Sequence, residues 1–418
     1  MLQAMSSPAQ IAIQAGLRDA RARTLGLVSD LDDAQWLGPR LAIVNPILWE
    51  VGHLGWFQEY WTQRRALSAA PLLQQGDALY DSARVAHDTR WDLPLLPRPE
   101  VLRYLEAVLD RALAAEPGYF HALALAHEDM HGEALLYTRQ TLGYPAPLLP
   151  HAAAAEAGPL PGDVEVPGCT FQLGARPGAP FVFDNEKWAH PVTVASFRIA
   201  RAPVTNEALL EFVEAGGYGD ERFWSPEGWR WRAAAGAGHP VYWRRGEGGR
   251  WFERRFDAEV PLPPHRPAIH VCWHEAEAFC RWAGRRLPTE AEWELAASTP
   301  QKRAFPWGDA PPDAWRANLD AAAGWTVDVA ALPEGDSAYG CRQLIGNVWE
   351  WTASDFQPYP GFVVDPYKEY SAPWFSSPHK VLRGGCWATR ARLLRNTWRN
   401  FYPPDRRDVL AGFRTCAV

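Results

Sequence analysis

Phe120-His121-Ala122-Leu123-Ala124-Leu125-Ala126-His127-Glu128-Asp129-Met130-His131-Gly132-Glu133-Ala134-Leu135-Leu136-Tyr137 is the stretch on which the reading of this chain turns. It reads as a helix, and residues four apart stack on one helical face. His127 and His131 can therefore offer two imidazoles to a single metal ion. A third candidate ligand, His53, sits far upstream in Val51-Gly52-His53-Leu54-Gly55-Trp56-Phe57. The question is whether such a metal would be zinc held for hydrolysis or iron held for oxygen chemistry.

Working outward, periodicity predicts helices over Gln10 to Val28, Pro46 to Arg65, Glu100 to Ala114 and Tyr119 to Leu142. Asn45-Pro46 fits an N-cap followed by proline at the first helical position, where the His53 helix would begin. Four helices suggest a bundle whose interior can hold a metal bound from facing helices. From Tyr144 to Gly168 the chain turns proline- and alanine-rich, as a linker would. Beyond it come short strands, frequent Gly and Pro, and a few short helices. Thr205-Asn206 opens one that Gly216-Gly217 stops, another spans about His274 to Ala283 before Gly284, and Thr289 to Glu292 has capping-box spacing. The expected fold class is therefore α+β multidomain: a helical domain over 1–150, a linker over 151–168 and an irregular α+β domain over 169–418.

Composition bounds the function. At 418 residues, two or more domains are the default. A net charge of -7 offers no electrostatic reason to expect a nucleic-acid partner. Cys169, Cys272, Cys280, Cys341, Cys386 and Cys416 contain no C-x-x-C pair, so neither a disulfide framework nor a zinc knuckle is indicated. Met1 to Thr24 lacks the apolar core of a signal peptide, and no apolar run reaches membrane-spanning length. A cytoplasmic enzyme with small-molecule substrates is the simplest expectation. The 22 tryptophans suit rigid pockets.

Taken literally, His127-Glu128-x-x-His131 is the H-E-x-x-H of zinc peptidases, with the glutamate as general base. The bland alternative is a pair of hydrogen-bonded histidines on a half-buried helix. A peptidase needs a downstream third ligand, but His151 lies in the linker and Glu133 is too close. His53, on an earlier helix, is a better third ligand within a bundle. Three neutral imidazoles leave coordination positions open for substrate and oxygen, which suits non-haem iron. His121 lies off that face and reads as a core or surface histidine.

The pattern His53 … His127-x-x-x-His131 on a helical N-terminal domain resembles the DinB-like half of the ergothioneine-type sulfoxide synthases. The rest resembles the formylglycine-generating-enzyme (sulfatase-modifying-factor) domain, a C-type-lectin-like α+β fold. That likeness is carried by Phe183-Asp184-Asn185-Glu186, Pro203-Val204-Thr205-Asn206, the run from Arg286 to Glu294, Gly346-Asn347-Val348-Trp349-Glu350-Trp351, Val381-Leu382-Arg383-Gly384-Gly385 and Gly412-Phe413-Arg414. Formylglycine-generating enzymes use a close cysteine pair as a copper site. Cys386 and Cys416 are thirty residues apart in this chain, so that oxidase activity is not expected and both read as packed small residues.

The resemblance implies that His53, His127 and His131 hold Fe(II), with O2 as co-substrate and hercynine as the imidazole substrate. It matches Tyr367 to the tyrosine that donates a proton or hydrogen atom, with Tyr370 as its neighbour. Trp398-Arg399-Asn400-Phe401-Tyr402 matches the segment lining the substrate pockets, with Asn400 toward hercynine and Phe401 offering an aromatic face to its cation. The family members that use γ-glutamylcysteine grip it with two arginines and an aspartate. Arg90 fills one arginine position in this chain, but His87 stands at the other, Tyr402 replaces the aspartate and Met130 replaces a glutamine. Losing that clamp would cost a charged donor several kcal/mol. A hydroxyl-rich donor is expected instead, and tryptophan-rich pockets suit sugars. The trio points to the selenoneine synthase branch, in which a selenosugar donates and a carbon–selenium bond forms. The alternatives are a thiol donor (γ-glutamylcysteine, cysteine or a thiosugar), a zinc-dependent DinB-type thiol transferase, and a non-catalytic binding module.

Overall fold

The computed structural model describes residues 8–152, 156–179 and 181–418, and the chain divides into two compact units that meet in sequence between Leu149 and Pro150. Among the described residues the regular structure of the first unit is helical, with α1 (Pro8–Val28), α2 (Asp33–Leu37), α3 (Ile47–Glu59), α4 (Gly76–Tyr80), α5 (Arg98–Ala114) and α6 (Tyr119–Leu142). The four long helices match the periodicity. The short α2 and α4, one turn or so each, carry too little pattern to be read from sequence.

α1 packs on α6, and α3 packs on both α5 and α6. α3 is the central helix, buried on nearly all sides from Ile47 to Glu59, as a helix apolar all round must be. It runs on into a π-helical turn at Tyr60–Arg65, so the segment read as one helix changes winding halfway. Its start also differs from expectation. Pro46 is the N-cap and makes no side-chain cap bond. The Asn45 side chain is spent elsewhere, with Nδ2 donating to Glu50 Oε2 at 3.3 Å. Gly52 is required by close approach: a Cβ there would meet the Tyr80 ring at 2.2 Å.

The second unit contains β1 (Asp163–Val166), β2 (Cys169–Leu173), β3 (His190–Val194), β4 (Phe197–Ala200), α7 (Asn206–Glu214), α8 (Pro226–Ala234), β5 (Trp243–Arg245), β6 (Trp251–Arg255), β7 (Ala258–Pro261), α9 (Trp273–Trp282), β8 (Arg285–Arg286), α10 (Glu290–Ser298), β9 (Trp349–Asp355), β10 (Lys380–Arg383), β11 (Asn400–Tyr402), β12 (Ala411–Phe413) and β13 (Cys416–Ala417). Two four-stranded sheets, β1-β4-β13-β8 and β11-β10-β9-β12, are joined by a β2-β3 pair and a β5-β6-β7 meander. The stretch expected as linker corrects itself in part, since β1 pairs antiparallel with β4 from Asp163↔Ala200 to Val166↔Phe197. A four-residue strand between Gly162 and Pro167 is too short to announce itself.

The caps read from sequence are present: Thr205 caps α7, and Thr289 with Glu292 forms the capping box of α10. The motif Gly346 to Trp351 is core. Trp349 and Trp351 are buried, and Glu350 accepts from Trp293 Nε1 at 2.8 Å and from Arg414 at 2.8 Å. Glu290 is likewise gripped by both ends of the Arg399 guanidinium, and Glu294 pairs with Arg383 and Lys302. Cys386 and Cys416 are both buried, and the Cys386 Sγ lies 3.3 Å from Thr389 Oγ1. No helix among the described residues is long and apolar enough to cross a membrane.

Candidate metal centre

One turn of α3 supplies His53, and two successive turns of α6 supply His127 and His131. A ligand atom from each lies within 4.8 Å of the others. The ring centroids are 5.0, 5.2 and 4.5 Å apart. His53 Nδ1 sits 2.7 Å from the Tyr80 carbonyl and His131 Nδ1 sits 2.8 Å from Glu50 Oε1. Both partners only accept, so both Nδ1 atoms carry the proton and both Nε2 atoms keep a lone pair. His53 Nε2 faces His127 Nε2 at 3.3 Å. Imidazole nitrogens from three residues gathered at one place, with the second nitrogen of His53 and of His131 already bonded, are the donor set a metal needs.

Burial holds the His53 and His127 imidazoles well below the usual histidine range, and a charge on His131 would add to this. Both rings are therefore neutral at physiological pH, the form that binds metal. His131 is the half-buried member, its side chain 20% exposed. Aromatic walls fix the other two. Phe57 stacks on His127 at 3.5 Å, and Trp49 stacks on His53 at 4.9 Å.

Glu128 does not face this centre. Its carboxylate accepts from Arg21 at 2.8 and 3.2 Å and from Thr24 at 3.0 Å, and all three residues are buried. A glutamate held in that way is not placed to act as a peptidase base, and it is more than the plain helix residue that an iron reading leaves it as, because it ties α1 to α6. His121 is a buried histidine whose Nδ1 accepts from the Gly118 backbone at 3.3 Å.

Arg90 and His87 lie on and just after a short 3-10 turn, His87–Thr89. The Arg90 guanidinium lies 3.6 Å over the Trp49 ring, and its Nη1 donates to Asn45 Oδ1. Burial pushes its pKa down to about 10, with Glu50 opposing. His87 Nε2 is 2.7 Å from the Val44 carbonyl, and its ring meets Trp91 edge-on. Met130 is half-buried on α6 between the two ligands.

In the second unit, the segment 183–187 clamps the loop carrying Tyr367 and Tyr370 at both ends. Lys187 pairs with Asp365 at 2.6 Å, Asp184 Oδ2 accepts from the Asp365 backbone, and Asp184 Oδ1 takes the Ser371 hydroxyl at 2.6 Å. Phe183 stacks on Tyr370 at 4.1 Å, and burial raises the Tyr370 phenol above its ordinary range. The Tyr367 ring lies 6.1 Å from that of Tyr370. Phe401 stacks on Phe356 at 3.9 Å, Asn400 bonds its own following N–H, and Arg406 lies over Tyr402.

Sequence reasoning missed Glu50, Trp49, Tyr80 and Phe57. One signal was available: Glu50 is an acid inside the apolar run Ile47 to Leu54, three residues before a candidate ligand. Tyr80 gave none, because it acts through its backbone carbonyl.

The chain matches the family model of the sulfatase-modifying factor enzyme 1-like domain over residues 150–417, and that of the DinB superfamily over 17–117. It is 40% identical to the hercynine oxygenase of Mycolicibacterium smegmatis, across 94% of this chain and 96% of that one. It is also 40% identical to the hercynine oxygenase of Mycobacterium tuberculosis, across 98% and 99%. The formylglycine-generating enzyme of Streptomyces coelicolor is 33% identical and covers 64% of this chain and 94% of its own length. A DinB-like helical domain is thus followed by a sulfatase-modifying-factor-like α+β domain.

Proposed function

The chain belongs to the ergothioneine-type sulfoxide synthases, the family of the hercynine oxygenases, and from that premise we propose that it joins the imidazole ring of hercynine to a small thiol, using O2 and Fe(II) held by His53, His127 and His131. Relatives at 40% identity over nearly the whole of both chains support an oxygen-dependent enzyme. The observation that carries the metal assignment is three histidine ligand atoms within 4.8 Å, two with their second nitrogen already bonded. Bound there, Fe(II) would let spin-triplet O2 react with closed-shell substrates through one-electron steps, the substrates supplying the net electrons.

The overall reaction balances. An imidazole C–H and a thiol S–H are lost, a C–S bond and an S=O bond form, and the second oxygen atom leaves as water. In this reading Tyr367 supplies a proton or hydrogen atom, and Tyr370 neighbours it. His87, Arg90, Met130, Asn400, Phe401 and Tyr402 line the substrate pockets. Support for Tyr367 is that its loop is pinned at both ends by Asp184 and Lys187, as a loop that positions a reactive phenol must be. A cytoplasmic setting belongs to the same reading, because a reduced thiol pool supplies the donor there.

A selenosugar donor is the second reading. It is favoured by a donor side with one arginine, whose guanidinium is already stacked on Trp49 and bonded to Asn45, and with a histidine bonded to Val44 where a second arginine would serve a charged peptide. Oxygen uptake and product mass separate the two. Protein loaded anaerobically with Fe(II) is given hercynine, then O2, with γ-glutamylcysteine, cysteine or a selenosugar in turn. Turnover with a thiol alone supports the first reading and turnover with the selenosugar alone the second. Oxygen uptake with none of them, or equal activity without oxygen, sinks both.

A further inference from the structure

Glu50 is 1% exposed, and each of its carboxylate oxygens is engaged in a connected circuit. Oε1 accepts the His131 Nδ1 proton at 2.8 Å, and Oε2 accepts from Asn45 Nδ2 at 3.3 Å. Asn45 Oδ1 in turn accepts from Arg90 Nη1, the Arg90 guanidinium lies 3.6 Å over Trp49, and Trp49 stacks on His53 within 8° of parallel. The path leaves one ligand, His131 on α6, and returns to another, His53 on α3. Within one turn of α3, position 53 therefore supplies a ligand and position 50 steers a ligand on a different helix.

We propose that Glu50 is a positioning residue for the metal centre, with Asn45 holding it in place, and that its negative charge raises the donor strength of His131. The proposal rests on the three-histidine reading above. The physical ground is that a carboxylate accepting the remote N–H of a ligating imidazole fixes the tautomer and ring plane and makes the other nitrogen more basic. His131 needs this more than its fellows. His53 and His127 are locked by stacked aromatic walls, whereas His131 has a partly exposed side chain. Asn45 is suited to its part because an amide offers a donor to Glu50 and an acceptor to Arg90 at once. Its place just before Pro46 explains why it is not spent as a helix cap.

The test uses the full-length metal-free protein and Co(II) as the probe, with affinity measured by chelator competition and the ligand field read from the visible absorption of the bound ion. Glu50→Gln keeps the shape, removes the charge and turns one of the two accepting oxygens into an NH2 donor. The expected result is about a 10- to 100-fold loss of Co(II) affinity and a shifted absorption band. A residue that merely fills space would leave both unchanged. Asn45→Ala should move both in the same direction by a smaller factor, and it serves alone if Glu50→Gln does not fold by near-ultraviolet circular dichroism. Wild-type affinity and band position in the folded variants would overturn the role of Glu50 even if His131→Ala abolishes binding. Wild-type affinity in His131→Ala would overturn the three-histidine reading itself, and this inference with it.

Discussion

Both units bury polar groups deeply, but they finish them differently. In the second unit three buried carboxylates are closed off: Glu350 is matched by Arg414 and Trp293, Glu290 by Arg399, and Glu294 by Arg383 and Lys302. In the first unit three histidines from α3 and α6 converge instead, a ligand atom of each within 4.8 Å of the others, with Nδ1 of His53 held by the Tyr80 carbonyl and Nδ1 of His131 by Glu50. Donor atoms gathered at one spot from two helices mark a site for something added, whereas closed ion pairs mark scaffold.

The sharpest way to break that contrast is to remove a member of each set. His127→Ala or His53→Ala should abolish metal binding and oxygen uptake, read by metal content after dialysis and by an oxygen electrode. Full occupancy in either variant would break the site side. Tyr367→Phe should lower kcat by roughly 100-fold or more, in the range of a lost proton-transfer group, with KM and metal content little changed. Arg414→Met leaves Glu350 buried without its charged partner and should destabilise the second unit by about 3–5 kcal/mol in urea unfolding. Metal affinity of the folded fraction should not change. Equal loss of metal binding would mean that the two regions are not separable as site and scaffold.

A Cβ at Gly52 collides with the Tyr80 ring, whose carbonyl holds His53, so Gly52→Ala should cost about 1–3 kcal/mol by overpacking and weaken metal binding as well. Stability alone falling would detach Tyr80 from the site. The smallest effect is a pH dependence of the metal-free protein. Unfolded histidine takes up a proton near pH 6.5, while burial keeps His53 and His127 neutral well below that value. The unfolded state then binds more protons. Stability is full above about pH 6.5 and falls as the pH drops beneath it. Comparing urea midpoints at pH 7.5 and 5.5 checks this, and a double His53→Ala, His127→Ala variant should show a flatter profile.

Much of this was legible in the sequence because it is local. Helical periodicity marked the four long helices, and a Thr–Glu spacing of three marked the capping box of α10. The i, i+4 spacing placed His127 and His131 on one face. What escaped is short or non-local. β1 has four residues and acquires its identity from β4 more than thirty positions on. The capping role read for Asn45 failed because the helix begins one residue later, with Pro46 as its N-cap, and folding brings Glu50 and Arg90 to the Asn45 amide. Glu128, which the H-E-x-x-H pattern offers as a catalytic base, became a brace only once Arg21 lay beside it.

The sequence by itself determined which residues could bind a metal and which helices carry them, since side-chain chemistry and helical spacing need no partner. Only the tertiary structure decided which nitrogens point inward and which side chains hold them there. That choice depends on Tyr80, Glu50, Trp49 and Phe57, whose contacts with the histidines depend on side-chain geometry or on segments distant in the chain that meet when the core closes.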